Sequence, residues 1–350
     1  MSKDLLVVSG LSKRFEPEEP PVIEDLSFSV EEGEIFALLG PSGCGKTTAL
    51  RIIAGFERSD AGSVTLDNRL LEGPTRHVPP EKRGIGLVFQ DQALFPHLTV
   101  FENVRFGLQN LPREQRNTRA RKVLDMVGLK QFAERYPHEL SGGQQQRVAV
   151  ARAVAPEPGV ILLDEPFSNL DAVLRQTMRE DVRNLLREAG MTAVMVTHDQ
   201  EEALSFADRV GVMRNGRIEQ IGTPEWIYYH PRTLFVAQFL GQTNLLLSQS
   251  DGSTATTALG RLELDRPAEG SVLVSLRPEH IDLEAAGTNP SEAVATIVAR
   301  EFKGHDITYR VRFDNSEYLV HTDNRTLFDP GDKVLLRVME PAVVLEGEQS

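Results

Sequence analysis

The chain has 350 residues, enough for two domains at roughly 150 residues each, and either would be large enough to bury its own core. Hydrophobic residues at 40% and charged residues at 25% exclude a disordered chain, and 38 basic against 51 acidic residues leave a net charge of −13 that disfavours general binding to nucleic acid. One cysteine, Cys44, excludes an intrachain disulfide and a cysteine-cluster metal site.

The first 70 residues read as short strands at 5–8, 22–30, 35–39 and 63–66, with turn chemistry at Glu31-Glu32-Gly33 and Asp67-Asn68 between them. The proline-rich, acidic stretch 16–21 reads as an exposed loop. From Thr47 the pattern turns helical, and residues 97–156 read as a mostly helical region. Two apolar runs follow, at 160–163 and 193–196. They flank an amphipathic helix whose stripe is Leu174, Met178, Val182, Leu185, Leu186 and Ala189. Strand, helix, strand with an apolar run on each side is the grammar of a buried parallel sheet. The character changes around residues 230–242. Beyond it Ile307, Tyr309, Val311 and Phe313 alternate with Thr308, Arg310, Arg312 and Asp314, and residues 334–338 follow an Asp329-Pro330-Gly331-Asp332 turn. That pattern predicts a small β-barrel or sandwich. The expected division is an α/β domain over 1–240 and an all-β domain over 241–350. No apolar run approaches the ~18 residues of a spanning helix, and Met1-Ser2-Lys3-Asp4 lacks a signal-peptide profile. A cytosolic chain is expected, with any membrane role borrowed from a partner.

The strand at 35–39 runs into Gly40-Pro41-Ser42-Gly43-Cys44-Gly45-Lys46-Thr47-Thr48, which opens onto a helix. This matches G-x-x-x-x-G-K-[ST] in the strand–loop–helix context the motif needs. Glycines let successive N–H groups turn inward as an anion nest, and the helix N-terminus adds partial positive charge. The predicted ligands are ATP and Mg²⁺, with Lys46 on the β- and γ-phosphates and the Thr47 hydroxyl on the metal. Asp164 and Glu165 end the run 160–163, at the carboxyl end of a buried strand, where such sheets bind ligands. Asp164 is the expected Mg²⁺ ligand and Glu165 the group that polarises an attacking water. Beside the N–H nest the Cys44 thiol has a route to a depressed pKa; a small side chain tolerated in the loop is the plainer reading. The cluster Arg113, Arg116, Arg119, Arg121 and Lys122 reads as a solvated helix face.

Leu140-Ser141-Gly142-Gly143-Gln144 places two glycines and a hydroxyl at a second helix start. With Gln145-Gln146-Arg147 the string resembles the signature sequence of ABC-type ATPases. Over roughly residues 5–240 the resemblance implies a P-loop ABC ATPase fold: a mixed sheet, an antiparallel β subdomain and a helical subdomain. It implies that Phe15 stacks on adenine, that Gln90 contacts Mg²⁺ and senses a transmembrane partner, and that His198 contacts the γ-phosphate. Ser168-Asn169-Leu170-Asp171 resembles the D-loop that crosses a dimer interface, with Asn169 where the family more often has alanine. Two copies would pair head-to-tail. Each ATP would lie between residues 40–48 of one copy and Ser141, Gly142, Gly143, Gln144 and Asp171 of the other.

The stretch between Lys46 and Ser141 has no room for a long coiled coil, and there is one set of motifs. Leu276-Arg277-Pro278-Glu279-His280-Ile281 resembles a motif of the small OB-like (TOBE) barrel of importer ATPases. That organisation implies permease subunits as partners, an extracytoplasmic substrate-binding protein indirectly, no nucleic acid, and a peripheral place on the cytoplasmic face of the inner membrane. Tyr136-Pro137-His138-Glu139 and Glu165-Pro166-Phe167-Ser168-Asn169 resemble ferric-ion importer subunits. Polyamines, sugars and sulfate stay open as substrates, and a soluble ATPase acting on a macromolecule is the other class.

Overall fold

The computed structural model describes residues 3–286, 294–304, 306–323 and 327–347. The chain divides into two compact units, Met1–Pro224 and Glu225–Ser350. In chain order the first unit holds β1 (Asp4–Lys13), β2 (Ile23–Glu31), β3 (Ile35–Leu39), α1 (Lys46–Ala54), β4 (Ala61–Leu66), β5 (Arg69–Gly73), β6 (Arg76–His77) and β7 (Ile85–Val88). The helices α2 (Val100–Phe106), α3 (Arg113–Met126) and α4 (Gly142–Val154) follow, within the stretch expected to be helical. Then come β8 (Val160–Asp164), α5 (Ala172–Glu188), β9 (Ala193–Thr197), α6 (Gln200–Phe206), β10 (Arg209–Arg214) and β11 (Arg217–Gly222).

Among the described residues six strands form one sheet in the order β11-β10-β3-β9-β8-β7, and all its neighbours are parallel except β10 and β11. Every residue of β3 and β9 is buried. Strands covered on both faces have no solvent side on which polar residues could alternate, hence the uninterrupted apolar runs. The register fixes where the strands end. Leu39 pairs with Thr197, Asp164 with Val196, and Val88 with Leu163. Gly40, Gln90, Glu165 and His198 therefore leave the sheet at one end.

A second sheet, β2-β1-β4-β5-β6, is antiparallel. Phe28 from it stacks on Phe36 of β3 at 5.0 Å between ring centres. Arg83 is 1% exposed, and its guanidinium donates to the carbonyls of Ile52, Ile53 and Val78 and to Glu72. It thus satisfies carbonyls at the C-terminus of α1 that have no partner within the helix. The β10–β11 hairpin was not among the expected elements. Its signal is the Asn215-Gly216 pair, both left-handed (φ 47° and 80°), which suits a tight hairpin turn.

The second unit takes in α7 (Pro224–Tyr229) and α8 (Leu234–Phe239), then β12 (Asn244–Thr257), β13 (Gly260–Leu276), β14 (Ile281–Ala285), β15 (Ala295–Phe302), β16 (Asp306–Phe313), β17 (Ser316–Asp323), β18 (Lys333–Val338) and β19 (Val343–Val344). Its strands form two antiparallel sheets, β12-β13-β19 and β14-β18-β15-β16-β17. Leu259, Phe313 and Leu336 pack against the cores of both. Ile307, Tyr309 and Val311 point inward as the alternation predicts. The division at residue 224 lies ahead of the expected one at 240, and Arg277 supplies the reason. Buried at the end of β13, it donates to the carbonyls of Tyr228, Ala237 and Gln242 and lies 4.1 Å from the centre of the Tyr228 ring. Those bonds tie α7 and α8 to the β unit.

Candidate functional site

The loop after β3 has glycine where nothing else fits. A Cβ on Gly40 would sit 2.3 Å from the Met213 carbonyl oxygen, and one on Gly45 would sit 2.5 Å from that of Val22. Gly45 and Gly43 also have φ of 105° and 80°. Gly45 caps α1 with no side-chain hydrogen bond, which leaves the first N–H groups of the helix to another acceptor. Ser42 and Gly43 are exposed at the loop's tip, while Pro41, Thr47 and Thr48 are half-buried. Lys46 is buried, and its ammonium donates to the carbonyls of Gly40 and Pro41 at 2.8 and 2.9 Å.

The Cys44 thiol does not follow the depressed-pKa expectation. Cys44 is buried, and burial pushes its pKa up; the neighbouring Lys46 and the backbone N–H groups pull the other way and lose. Desolvation outweighs the nest, which favours the thiol form, and Cys44 packs as a small buried side chain whose Sγ accepts from the Lys46 ammonium at 3.7 Å.

The Thr47 hydroxyl donates to Asp164 Oδ1 at 3.5 Å. Burial, and then the charge of Glu165, push the Asp164 carboxyl above its usual range, against the pull of Arg51, Thr47 and Lys46. A hydroxyl facing a carboxylate that is short of counter-charge is an oxygen donor pair suited to a hard cation. Among the described residues no group of three His, Cys, Asp or Glu is placed to hold a metal. Mg²⁺ there would draw its remaining ligands from phosphate and water, as that ion commonly does.

Glu165 has φ 43°, an uncommon conformation for a residue with a side chain, and its N–H donates to the Val196 carbonyl at 3.0 Å. Its carboxylate is flanked on both sides. His198 Nδ1 lies 3.1 Å from Oε1, and the Gln90 amide donates to Oε2 at 3.5 Å. The same Gln90 amide donates to Ser168 Oγ at 3.3 Å, and that hydroxyl donates to the Glu165 carbonyl at 3.0 Å. Lys46, Thr47, Gln90, Asp164, Glu165 and His198 therefore gather at the sheet's carboxyl end.

Six expected site residues take other surroundings. Ser141 caps α4 and exchanges hydrogen bonds with Gln144: N–H of Gln144 to Ser141 Oγ at 3.4 Å, and N–H of Ser141 to Gln144 Oε1 at 3.0 Å. Gly143 is buried against Leu174 and Met178, and the exposed Gly142 lies beside Leu170. Asp171 caps α5, accepting from the Leu174 N–H at 2.9 Å. Phe15 is 53% exposed, with the Lys13 ammonium 5.1 Å from its ring centre.

Residues 23–168 match the family model described as ABC transporter, and residues 274–345 match the TOBE domain. The chain is 45% identical to the Fe(3+) ions import ATP-binding protein of Rhodococcus jostii, over 97% of this chain and 98% of that one. It is 43% identical to the spermidine/putrescine import ATP-binding protein of Marinobacter nauticus, over 98% and 93%. The chain belongs to the ATP-binding subunits of ABC importers. Among solved structures, the importer ATPase superposes on cbiO1 of Clostridium perfringens with a TM-score of 0.60 at 29% identity, covering 65% of this chain and 92% of that one. It superposes on a dimeric ATP-binding cassette holding ADP and Pi after hydrolysis with a TM-score of 0.55 at 34% identity, covering 63% and 99%. ATP hydrolysis coupled to import is the activity of this family, and no helix among the described residues of the importer ATPase is long and apolar enough to cross a membrane.

Two residues around the site of the importer ATPase escaped the sequence reading. Asn169 departs from the family's usual alanine and ends the string resembling ferric-ion importers, yet neither sign shows that its side-chain amide donates to the Gln90 carbonyl at 3.0 Å. Arg152, on α4, donates to the carbonyls of Gln92 and Ala93. No local pattern marks either, because both partners are remote in sequence.

Proposed function

We propose that this importer ATPase hydrolyses ATP at the cluster around Glu165 and drives the uptake of ferric iron. The observation that carries the hydrolytic reading is the Glu165 carboxylate held between His198 and the Gln90 amide, at the strand ends where Lys46, Thr47 and Asp164 also emerge. Lys46 and the backbone N–H groups of residues 42–48 hold the β- and γ-phosphates, and Phe15 stacks on adenine. Thr47, Asp164 and Gln90 hold Mg²⁺, which when bound neutralises phosphate charge. Glu165 orients the attacking water and accepts its proton, and His198 holds the γ-phosphate. Ser141, Gly142, Gly143, Gln144 and Asp171 act in trans, from a second copy paired head-to-tail. Closing that pair around ATP and reopening it after hydrolysis is the two-state motion that permease subunits harness at the cytoplasmic face of the inner membrane. An extracytoplasmic binding protein delivers the cargo to that permease.

Ferric iron is favoured by the strings Tyr136-Pro137-His138-Glu139 and Glu165-Pro166-Phe167-Ser168-Asn169 and by the Rhodococcus jostii relative. A polyamine is the second reading, favoured by the Marinobacter nauticus relative at nearly the same identity. The test is uptake of labelled ferric iron and labelled putrescine by native cells under iron limitation, wild type against Glu165→Gln. Selective loss of iron uptake supports the first reading. Selective loss of putrescine uptake keeps the motor and replaces its cargo.

A further inference from the structure

Just after Gln90 the chain passes through two successive non-glycine residues in the left-handed region, Gln92 at φ 57° and Ala93 at φ 44°. Neither residue type favours that region, because the Cβ crowds the neighbouring backbone carbonyl. One guanidinium takes both of their carbonyls: Arg152 Nη1 donates to Ala93 O at 2.6 Å and Nη2 to Gln92 O at 3.0 Å. Arg152 also lies 5.4 Å from the centre of the Phe95 ring. It stands in the last turn of α4, the helix that opens at Ser141-Gly142-Gly143-Gln144. From the other side Asn169 donates to the Gln90 carbonyl, so three carbonyls within residues 90–93 are held by side chains from two distant segments.

We propose that Arg152 is a positioning residue for hydrolysis: it clamps residues 90–93 in a strained turn that aims the Gln90 amide at Glu165, and it ties that aim to α4. The proposal rests on the reading of Gln90 and Glu165 as parts of the hydrolytic site. The chemistry is specific to a guanidinium, whose planar fork presents two parallel donors, whereas lysine offers a point charge. With the fork removed, residues 92 and 93 relax toward ordinary backbone angles and the Gln90 amide loses its aim.

The test is steady-state ATP turnover by the purified full chain, with the melting temperature measured alongside. Arg152→Lys is expected to lower kcat about tenfold, the scale of a misplaced contact, while KM for ATP stays within about twofold. Adding Ala93→Gly to Arg152→Lys should restore most of the lost rate, because glycine enters the left-handed region without strain. Ala93 is exposed, so Ala93→Val with Arg152 intact strains the turn without touching the core and should slow turnover with only a small fall in melting temperature. Full kcat in Arg152→Lys overturns the proposal, and so does full kcat in Ala93→Val. So does a loss in Arg152→Lys that tracks a lower melting temperature and is not recovered by Ala93→Gly. Gln90→Ala separates the two levels: slow Gln90→Ala beside full-rate Arg152→Lys sinks the clamp alone, whereas full-rate Gln90→Ala sinks the reading of Gln90 and the clamp with it.

Discussion

Two helices of the importer ATPase begin at glycine-bearing loops, and the two beginnings are built differently. At α1 the glycines answer to the fold: Gly40 and Gly45 face backbone carbonyls at distances no Cβ tolerates, and the cap offers no side chain to its N–H groups. At α4 the cap is closed on itself, with Ser141 and Gln144 satisfying each other's backbone N–H groups. Gly142 there is exposed, and a Cβ on it would meet only Leu170, at an ordinary 3.6 Å. The first loop meets Asp164 through the Thr47 hydroxyl, at the sheet end where Gln90 and His198 flank Glu165. The second carries a glycine that its own chain does not require. The head-to-tail pairing proposed above would give that glycine a reason outside its own chain.

The largest effect expected on that comparison is catalytic. Glu165→Gln should lower ATP turnover by ~10²–10³ while leaving nucleotide binding intact, since the phosphate contacts proposed for the first loop would be untouched. Its ATP-loaded form should elute as a dimer in size-exclusion chromatography, and a monomer at saturating ATP would break the reading of the second loop as half of a site. Next in size is Gly40→Ala. Its Cβ meets backbone that has nowhere to go, so a loss of about 3 kcal/mol is expected in denaturant unfolding. Gly142→Ala sharpens the contrast. Stability should change by less than about 1 kcal/mol, since alanine is a good helix former with room here, yet ATP-driven dimerisation should weaken. Equal destabilisation by the two alanines would erase the distinction between the loops.

The smallest effect is the one Asp164 has on stability. Its carboxyl is raised in the folded protein above the unfolded value of 3.8, so folding disfavours its ionised form. That penalty is full above the raised pKa and gone below the unfolded one. Asp164→Asn should therefore melt slightly higher than wild type at pH 7, and the gain should shrink as pH falls through the raised pKa. The same variant should lose Mg²⁺-dependent turnover. A variant that melts lower at pH 7 would show that Asp164 is not the strained member of the Thr47 pair.

Much of this was legible along the chain. The strand at 35–39 ends where expected because an apolar run stops at a glycine, and the runs at 160–163 and 193–196 fall inside β8 and β9 for the same reason of two-sided burial. The strand–loop–helix turn at 35–48 was legible because all its parts are contiguous. Other features had no local signal. In the stretch Glu81-Lys82-Arg83-Gly84 nothing says that Arg83 is the one that goes inside to cap α1. Cys44 was open to two readings because the nest is visible in sequence and the burial that outweighs it is not. The allegiance of α7 and α8 turned on Arg277, whose partner Tyr228 is 49 residues away.

By itself the sequence determined the runs that became β3, β8 and β9 and the chemical types: a glycine-rich loop on a strand–helix turn, carboxylates at a strand end, a second glycine-bearing helix start and an all-β tail. These follow from periodicity and contiguous motifs, which record local geometry and burial. Only the tertiary structure decided which groups meet. His198 reaches Glu165 across 33 residues, Asn169 reaches Gln90 across 79, and Arg152 reaches Ala93 across 59. The left-handed turns at Glu165, Gln92 and Ala93 belong with them, since local preference disfavours those angles and hydrogen bonds from remote segments offset the strain. Such bonds are set by strand register and helix packing, and no window of neighbouring residues contains both ends of them.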